Sequence, residues 1–125
     1  MQNDQPETTP LAFSGLELLS SAVVLVDDQL VVRYLNPGAE NLFAVSNRKI
    51  VGYALRRLLG EPAGLNSALN NVLRDNWSYT GHNLTVERPG LEPLHLDCTV
   101  TPVECDDARL LLEFRPIDQQ LKVAR

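Results

Sequence analysis

The side chains of this chain that could do chemistry are few and scattered. His82 and His95 are 13 residues apart and fall on different predicted strands. His95 lies on the polar side of an alternating run, so both histidines read as solvated groups rather than haem or metal ligands. Cys98 falls on the apolar side of the same run and reads as a small core hydrophobe. It has no neighbouring His or basic residue to lower its thiol pKa, which argues against a nucleophile or a flavin adduct. Cys98 and Cys105 make no CxxC pair, no zinc set and no disulfide framework. A reduced, cytoplasmic setting is the simplest reading. Asp27-Asp28 and Asp106-Asp107 are paired carboxylates, but both sit where hairpin turns are needed, and Asp satisfies local amides in turns. Ser14-Gly15 and Ser20-Ser21 lack the G-x-S-x-G setting of a nucleophile elbow. Gly60 and Gly64 are not followed by the Gly-Lys-Ser/Thr of a phosphate loop. Arg56-Arg57, beside Arg48-Lys49, reads as a solvated helix face. No catalytic set, cofactor site or metal site emerges from the residue types.

The bulk properties narrow the class. The chain has 125 residues, 44% hydrophobic and 22% charged, the balance of one globular domain rather than a disordered or fibrous chain. Eleven basic and 16 acidic residues leave a net charge of -5. That is a poor footprint for nucleic acid or an anionic membrane. The longest apolar run, Ala22 to Val26, is far too short to span a bilayer. Met1 to Pro10 carries acids but no Lys or Arg, so it lacks the basic start of a secretory signal. It is expected to be a disordered leader, residues 1–10.

The elements that must position these residues follow from periodicity. Leu11, Leu16, Leu18 and Leu19 predict a short leading helix. Ala22 to Val26 is β-branched and apolar and predicts a buried strand. Asp27-Asp28-Gln29 is a turn, and Leu30 to Leu35 a second strand in hairpin with the first. Asn36-Pro37 stops that strand and caps a helix with Ala39, Leu42 and Phe43 on one face. Ser46-Asn47-Arg48 reads as a second cap. Gly52 breaks the chain before a stripe of Leu55, Leu58 and Leu59. From Pro62, the residues Leu65, Leu69, Val72 and Leu73 mark an amphipathic helix. After Trp77 the period becomes two. Leu84 and Val86 precede an Arg88-Pro89-Gly90 turn, and Leu94, Leu96, Cys98 and Val100 alternate with polar residues. Asp106-Asp107 turns into a last strand with Leu110, Leu112 and Phe114. The result is an α+β domain: a five-stranded antiparallel sheet, short helices on one face, and flanking terminal helices.

Val31 to Leu59 also carries a family pattern. Tyr34 on the second strand, Asn36 opening the next helix, Ala39, and then Gly52, Leu55 and Leu58 resemble the PAS domain signature. The resemblance covers about residues 11–116 and implies a PAS fold. Leu25-Val-Asp-Asp28, Tyr34-Leu-Asn-Pro37, Ser46-Asn-Arg48 and Leu111 to Gln120 are similar to the N-terminal domain of bacterial nitrogen-regulation sensor histidine kinases. That likeness implies a regulatory and dimerisation module of a cytoplasmic two-component kinase, and a parent chain that phosphorylates a response regulator and answers to the PII signal protein. No phospho-acceptor histidine motif and no ATP lid occur in these residues. Kinase activity, with its ATP, would therefore lie beyond Arg125, and this fragment is expected not to be an enzyme. The Asn-Cys-Arg motif of flavin-binding PAS domains is absent, and no cofactor is expected. The expected homodimer interface is Leu11, Leu16, Leu18, Leu19 and Leu111, with helices occupying the other sheet face. Ile117, Leu121 and Ala124 are the expected start of a signalling helix, residues 117–125, set off from the sheet by Pro116. Two rival readings remain open. One is a small-molecule-sensing PAS domain with a bound metabolite or chromophore. The other is a small α+β enzyme of thioesterase type, disfavoured because the helix from Pro62 offers only Asp75, at its end.

Overall fold

The computed structural model describes residues 21–60, 62, 64–88 and 90–117. Five strands form one sheet: β1 (Ala22–Val26), β2 (Val32–Leu35), β3 (Tyr79–Arg88), β4 (Leu91–Cys105) and β5 (Ala108–Pro116). Four helices lie between β2 and β3: α1 (Pro37–Phe43), α2 (Asn47–Ile50), α3 (Arg56–Leu59) and α4 (Leu65–Asp75). The strand order is β2-β1-β5-β4-β3, with every pair antiparallel. The helical connection thus carries the chain from one sheet edge to the other and covers one face on the way. The predicted α+β architecture holds throughout the described residues. The leading helix expected at Leu11, Leu16, Leu18 and Leu19 lies outside them.

Register explains the core. One row across the sheet reads Leu35, Val24, Leu112, Val100, Tyr79, and the next reads Ala22, Phe114, Cys98, Gly81. Because side chains alternate with period two, these rows all face the helices. They pack with Ala39 and Phe43 of α1, Leu58 and Leu59 of α3, and Leu65, Leu69 and Val72 of α4. Phe43 meets Phe114 edge-on, with ring centroids 5.2 Å apart at 88°, a geometry favoured by the ring quadrupoles. The opposite face carries a smaller cluster of Leu25, Tyr34 and Ala108, with Val103, Cys105 and Leu111 packed against it.

Three local expectations need correction. Leu30 is not in β2; it sits in the turn with φ of 61°, and Val31 makes only an isolated bridge to Ala54. The cause is Asp27, whose Oδ1 accepts the Gln29 and Val31 amides and curls the chain. β4 is also longer than its alternating core, because its pairing continues past the irregularity near Pro102 as far as Cys105. Ser46 holds the N-cap position of α2 but makes no side-chain cap bond. Asn47 reaches back instead, its Oδ1 accepting the Leu35 amide at 2.9 Å. Residues 118–125 of the expected signalling helix, Leu121 and Ala124 among them, lie outside the described residues, and its first residue, Ile117, is still tied to the sheet. Its amide donates to the His95 carbonyl at 2.8 Å, so β4 still holds the chain one residue beyond Pro116.

Candidate functional site

The junction between sheet and helices is built around Asn36, which is fully buried. Its Oδ1 accepts the Ala39 amide, capping α1, and also the Val23 amide of β1, both at 2.9 Å. Its Nδ2 donates to the Ser21 carbonyl at 2.8 Å. One amide side chain therefore satisfies three backbone groups that neither the sheet nor the helix serves. Asn47 repeats the device between α2 and the end of β2. Gly52 turns the chain with φ of 94°. Its amide donates to the Val32 carbonyl, Val32 donates to Tyr53, and Leu55 donates to Leu30. This local pairing draws the segment before α3 along β2 and buries Leu55 and Leu58. Of the signature residues, Asn36, Gly52, Leu55 and Leu58 thus belong to this junction. Tyr34 stands on the other sheet face, in a row with Leu25, Leu111 and Thr101.

Two surfaces of this frame could receive something. The first is a cavity of about 190 Å³ between the β1–β2 turn and helices α3 and α4. Leu30, Leu55, Leu59, Leu65 and Leu69 supply its apolar lining, and Gln29, Arg56 and Asn66 stand beside them. The second is the sheet face away from the helices. Leu111 is half-buried there, while Leu25 and Val23 on the neighbouring strand are almost wholly covered. Of the residues expected at a dimer interface, Leu111 lies on this face; Leu11, Leu16, Leu18 and Leu19 fall outside the described residues.

The titratable groups fit this reading. Burial works to raise the Asp27 carboxyl, but the Val31 amide, the Arg33 guanidinium and the Gln29 amide outweigh it. The group is held below its ordinary value. Arg33 Nη2 lies 2.8 Å from Asp27 Oδ2, with Nε on the same oxygen. That pair went unread in the sequence; opposite charges six residues apart across a predicted tight turn were the available signal. Cys98 is buried in the core, and burial pushes its thiol up to about 12. Cys105 is half-buried, and burial and the Asp106 carboxylate raise its thiol. His82 is exposed, with Nδ1 3.5 Å from Asp97 Oδ1. His95 Nδ1 is 3.4 Å from Thr85 Oγ1. The Asn83 amide holds the Asp97 carboxyl low. Among the described residues no three His, Cys, Asp or Glu side chains gather as a metal site would require. No described helix is long and apolar enough to cross a membrane.

An open antiparallel sheet with a helical crossover, capped by a buried Asn, defines a class. Residues 16–120 match the PAS fold family, and the chain belongs to it. Within that family its likeness is to one kind of sensor. The solved PAS domain of nitrogen regulation protein NR(II) from Vibrio parahaemolyticus is 34% identical, with a TM-score of 0.74. That match covers 87% of this chain and 100% of the other. The sensory histidine kinase/phosphatase NtrB of Vibrio alginolyticus is 36% identical over 119 residues, covering 94% of this chain and 33% of that protein. NtrB of Escherichia coli O157:H7 is 30% identical over 118 residues, with the same coverage. The chain therefore spans about a third of the length of the curated relatives it matches.

Proposed function

We propose that this chain is the regulatory and dimerisation module of an NtrB-like sensor histidine kinase/phosphatase of nitrogen regulation. One observation carries the reading: the chain covers the whole of the Vibrio NR(II) PAS domain but only a third of the NtrB relatives. On this reading ATP binding and phosphotransfer belong to the remaining two-thirds of the parent protein, which works in the cytoplasm. Its partners are a response regulator and the PII signal protein, and this fragment contributes no catalysis of its own. Two copies would pair through the leading helix and the sheet face that carries Leu111. The chain after Ile117, including Leu121 and Ala124, would carry the signal onward as a change in packing between the two copies.

The test uses the parent protein. Leu121→Asp should shift the balance between its kinase and phosphatase activities, yet leave the melting temperature of the isolated 1–125 chain nearly unchanged. If the isolated chain loses several degrees while the parent's activities stay as they were, the tail is packing and not transmission. A second reading, sensing of a small molecule, is favoured by the cavity lined by Leu30 and Leu55. A metabolite retained through purification and seen by native mass spectrometry would support it.

A further inference from the structure

Charge is distributed unevenly along this chain. Arg48, Lys49, Arg56 and Arg57 are four of its 11 basic residues, and no Asp or Glu occurs between Glu40 and Glu61. The rest of the chain sets seven cations against its 16 carboxylates, a net of -9. All four cations are exposed, Arg48 and Lys49 on α2 and Arg56 and Arg57 on α3. None makes an ion pair among the described residues, where the pairs are Arg33–Asp27, Arg74–Asp75 and His82–Asp97. The acid that precedes the segment, Glu40, lines an open depression with Lys49, but its carboxylate accepts the Asn47 amide. The segment is also joined within itself. The Arg57 guanidinium lies over the Tyr53 ring, 4.6 Å from its centroid. The Tyr53 amide donates to the Ile50 carbonyl, one residue after Lys49. Tyr53 is 48% exposed, one of the few large apolar side chains left open.

We propose that this basic surface is a docking site for a carboxylate-rich segment of a partner protein. Three features of the surface support this. Its cations have no carboxylate partner among the described residues, in a molecule that has carboxylates to spare. An Arg stacked on an exposed Tyr is the kind of amphipathic anchor enriched at binding hot spots. Local positive charge on a negative molecule steers a short acidic segment to one place, while the surrounding field repels long polyanions. The last point favours an acidic protein over a nucleic acid or an anionic bilayer. The site is independent of the kinase reading and the outer sheet face, and shares Arg56 with the lining of the cavity.

The test titrates the 1–125 chain into a short fluorescein-labelled peptide rich in glutamate and follows anisotropy. Saturable binding is expected at about 0.01 M salt, where the Debye length is about 30 Å, with marked weakening at about 0.15 M, where it is about 8 Å. Arg56→Glu with Arg57→Glu should weaken binding at least about tenfold. Arg74→Glu, an equal change of charge per site at an exposed position of α4, should alter it by less than about twofold. Tyr53→Ala should weaken binding with no change in net charge. A matching circular dichroism melt for each variant shows that the fold survives. Absence of saturable binding, or an equal loss per charge from Arg74→Glu, overturns the proposal. Tighter binding to single-stranded polyuridine or to anionic phosphatidylglycerol vesicles than to the peptide also overturns it.

Discussion

Asn36→Ala removes the side chain that ties β1, the residue before it and α1 together. Three hydrogen bonds are lost: from the Val23 amide, from the Ala39 amide and to the Ser21 carbonyl. Loss of the N-cap interaction alone costs about 1 kcal/mol. The Val23 amide is then left in a buried strand without its acceptor, at a further cost of about 1–3 kcal/mol. The sum is about 3 kcal/mol. A domain of this size has a urea m-value of about 2 kcal/mol/M, so the midpoint should fall by about 1.5 M with the slope unchanged. Urea denaturation followed by circular dichroism reads both quantities. Asn41→Ala, on the exposed side of α1, is the control and should stay within about 0.5 kcal/mol. Asn36→Asp keeps an acceptor for both amides but turns a carboxylate oxygen toward the Ser21 carbonyl, so its loss should be intermediate. A midpoint for Asn36→Ala within about 0.3 M of the parent chain, against the 1.5 M expected from these costs, would refute the reasoning.

The remaining predictions concern other parts of the frame. Asp27 has a depressed folded-state pKa, so its stabilising contribution is present above the ordinary carboxyl value and is lost as pH falls through the folded one. Asp27→Asn should therefore lower stability near neutrality and flatten the acid limb of the stability-versus-pH curve; an unchanged limb counts against the Arg33 pair. Cys98, with its thiol pushed up to about 12, should resist iodoacetamide in the native state, while the half-buried Cys105 is alkylated first. Mass spectrometry of the singly labelled protein reads the order, and label on Cys98 first would contradict the buried placement. Gly52→Ala meets open space, so its cost is conformational, about 1 kcal/mol or more at a φ of 94°. No loss in thermal stability would mean that the turn can relax.

The parts of this structure that could be read from the sequence are those in which local chemistry and the final fold agree. Asn36-Pro37 is one: the capping grammar is local, and the same side chain then serves β1. The helix from Leu65 and the alternation from Leu94 to Val100 are others, because each spans several repeats of its period. Sheet order was not accessible in this way. β1 pairs with β5 across a gap of more than 80 residues, and a wholly apolar strand such as Ala22–Val26 carries no mark of which neighbour it takes. The cavity was equally invisible, since its lining joins Gln29 and Leu30 to α3 and α4 through the Gly52 turn.

Leu111 shows how a departure from pattern carries information. Leu110, Leu111 and Leu112 are consecutive, which a strand with one solvated face would not need. In the structure Leu110 and Leu112 are fully buried under the helices. Leu111 stands on the reverse face with Leu25 and Tyr34. Both faces of β5 therefore bear apolar side chains, and α1 to α4 account for only one of them. The broken alternation at Leu111 is the point at which sequence and structure together locate a second packing surface. The proposed pairing of two copies would use that surface, on the strand that leads through Pro116 to the Ile117 tether on β4.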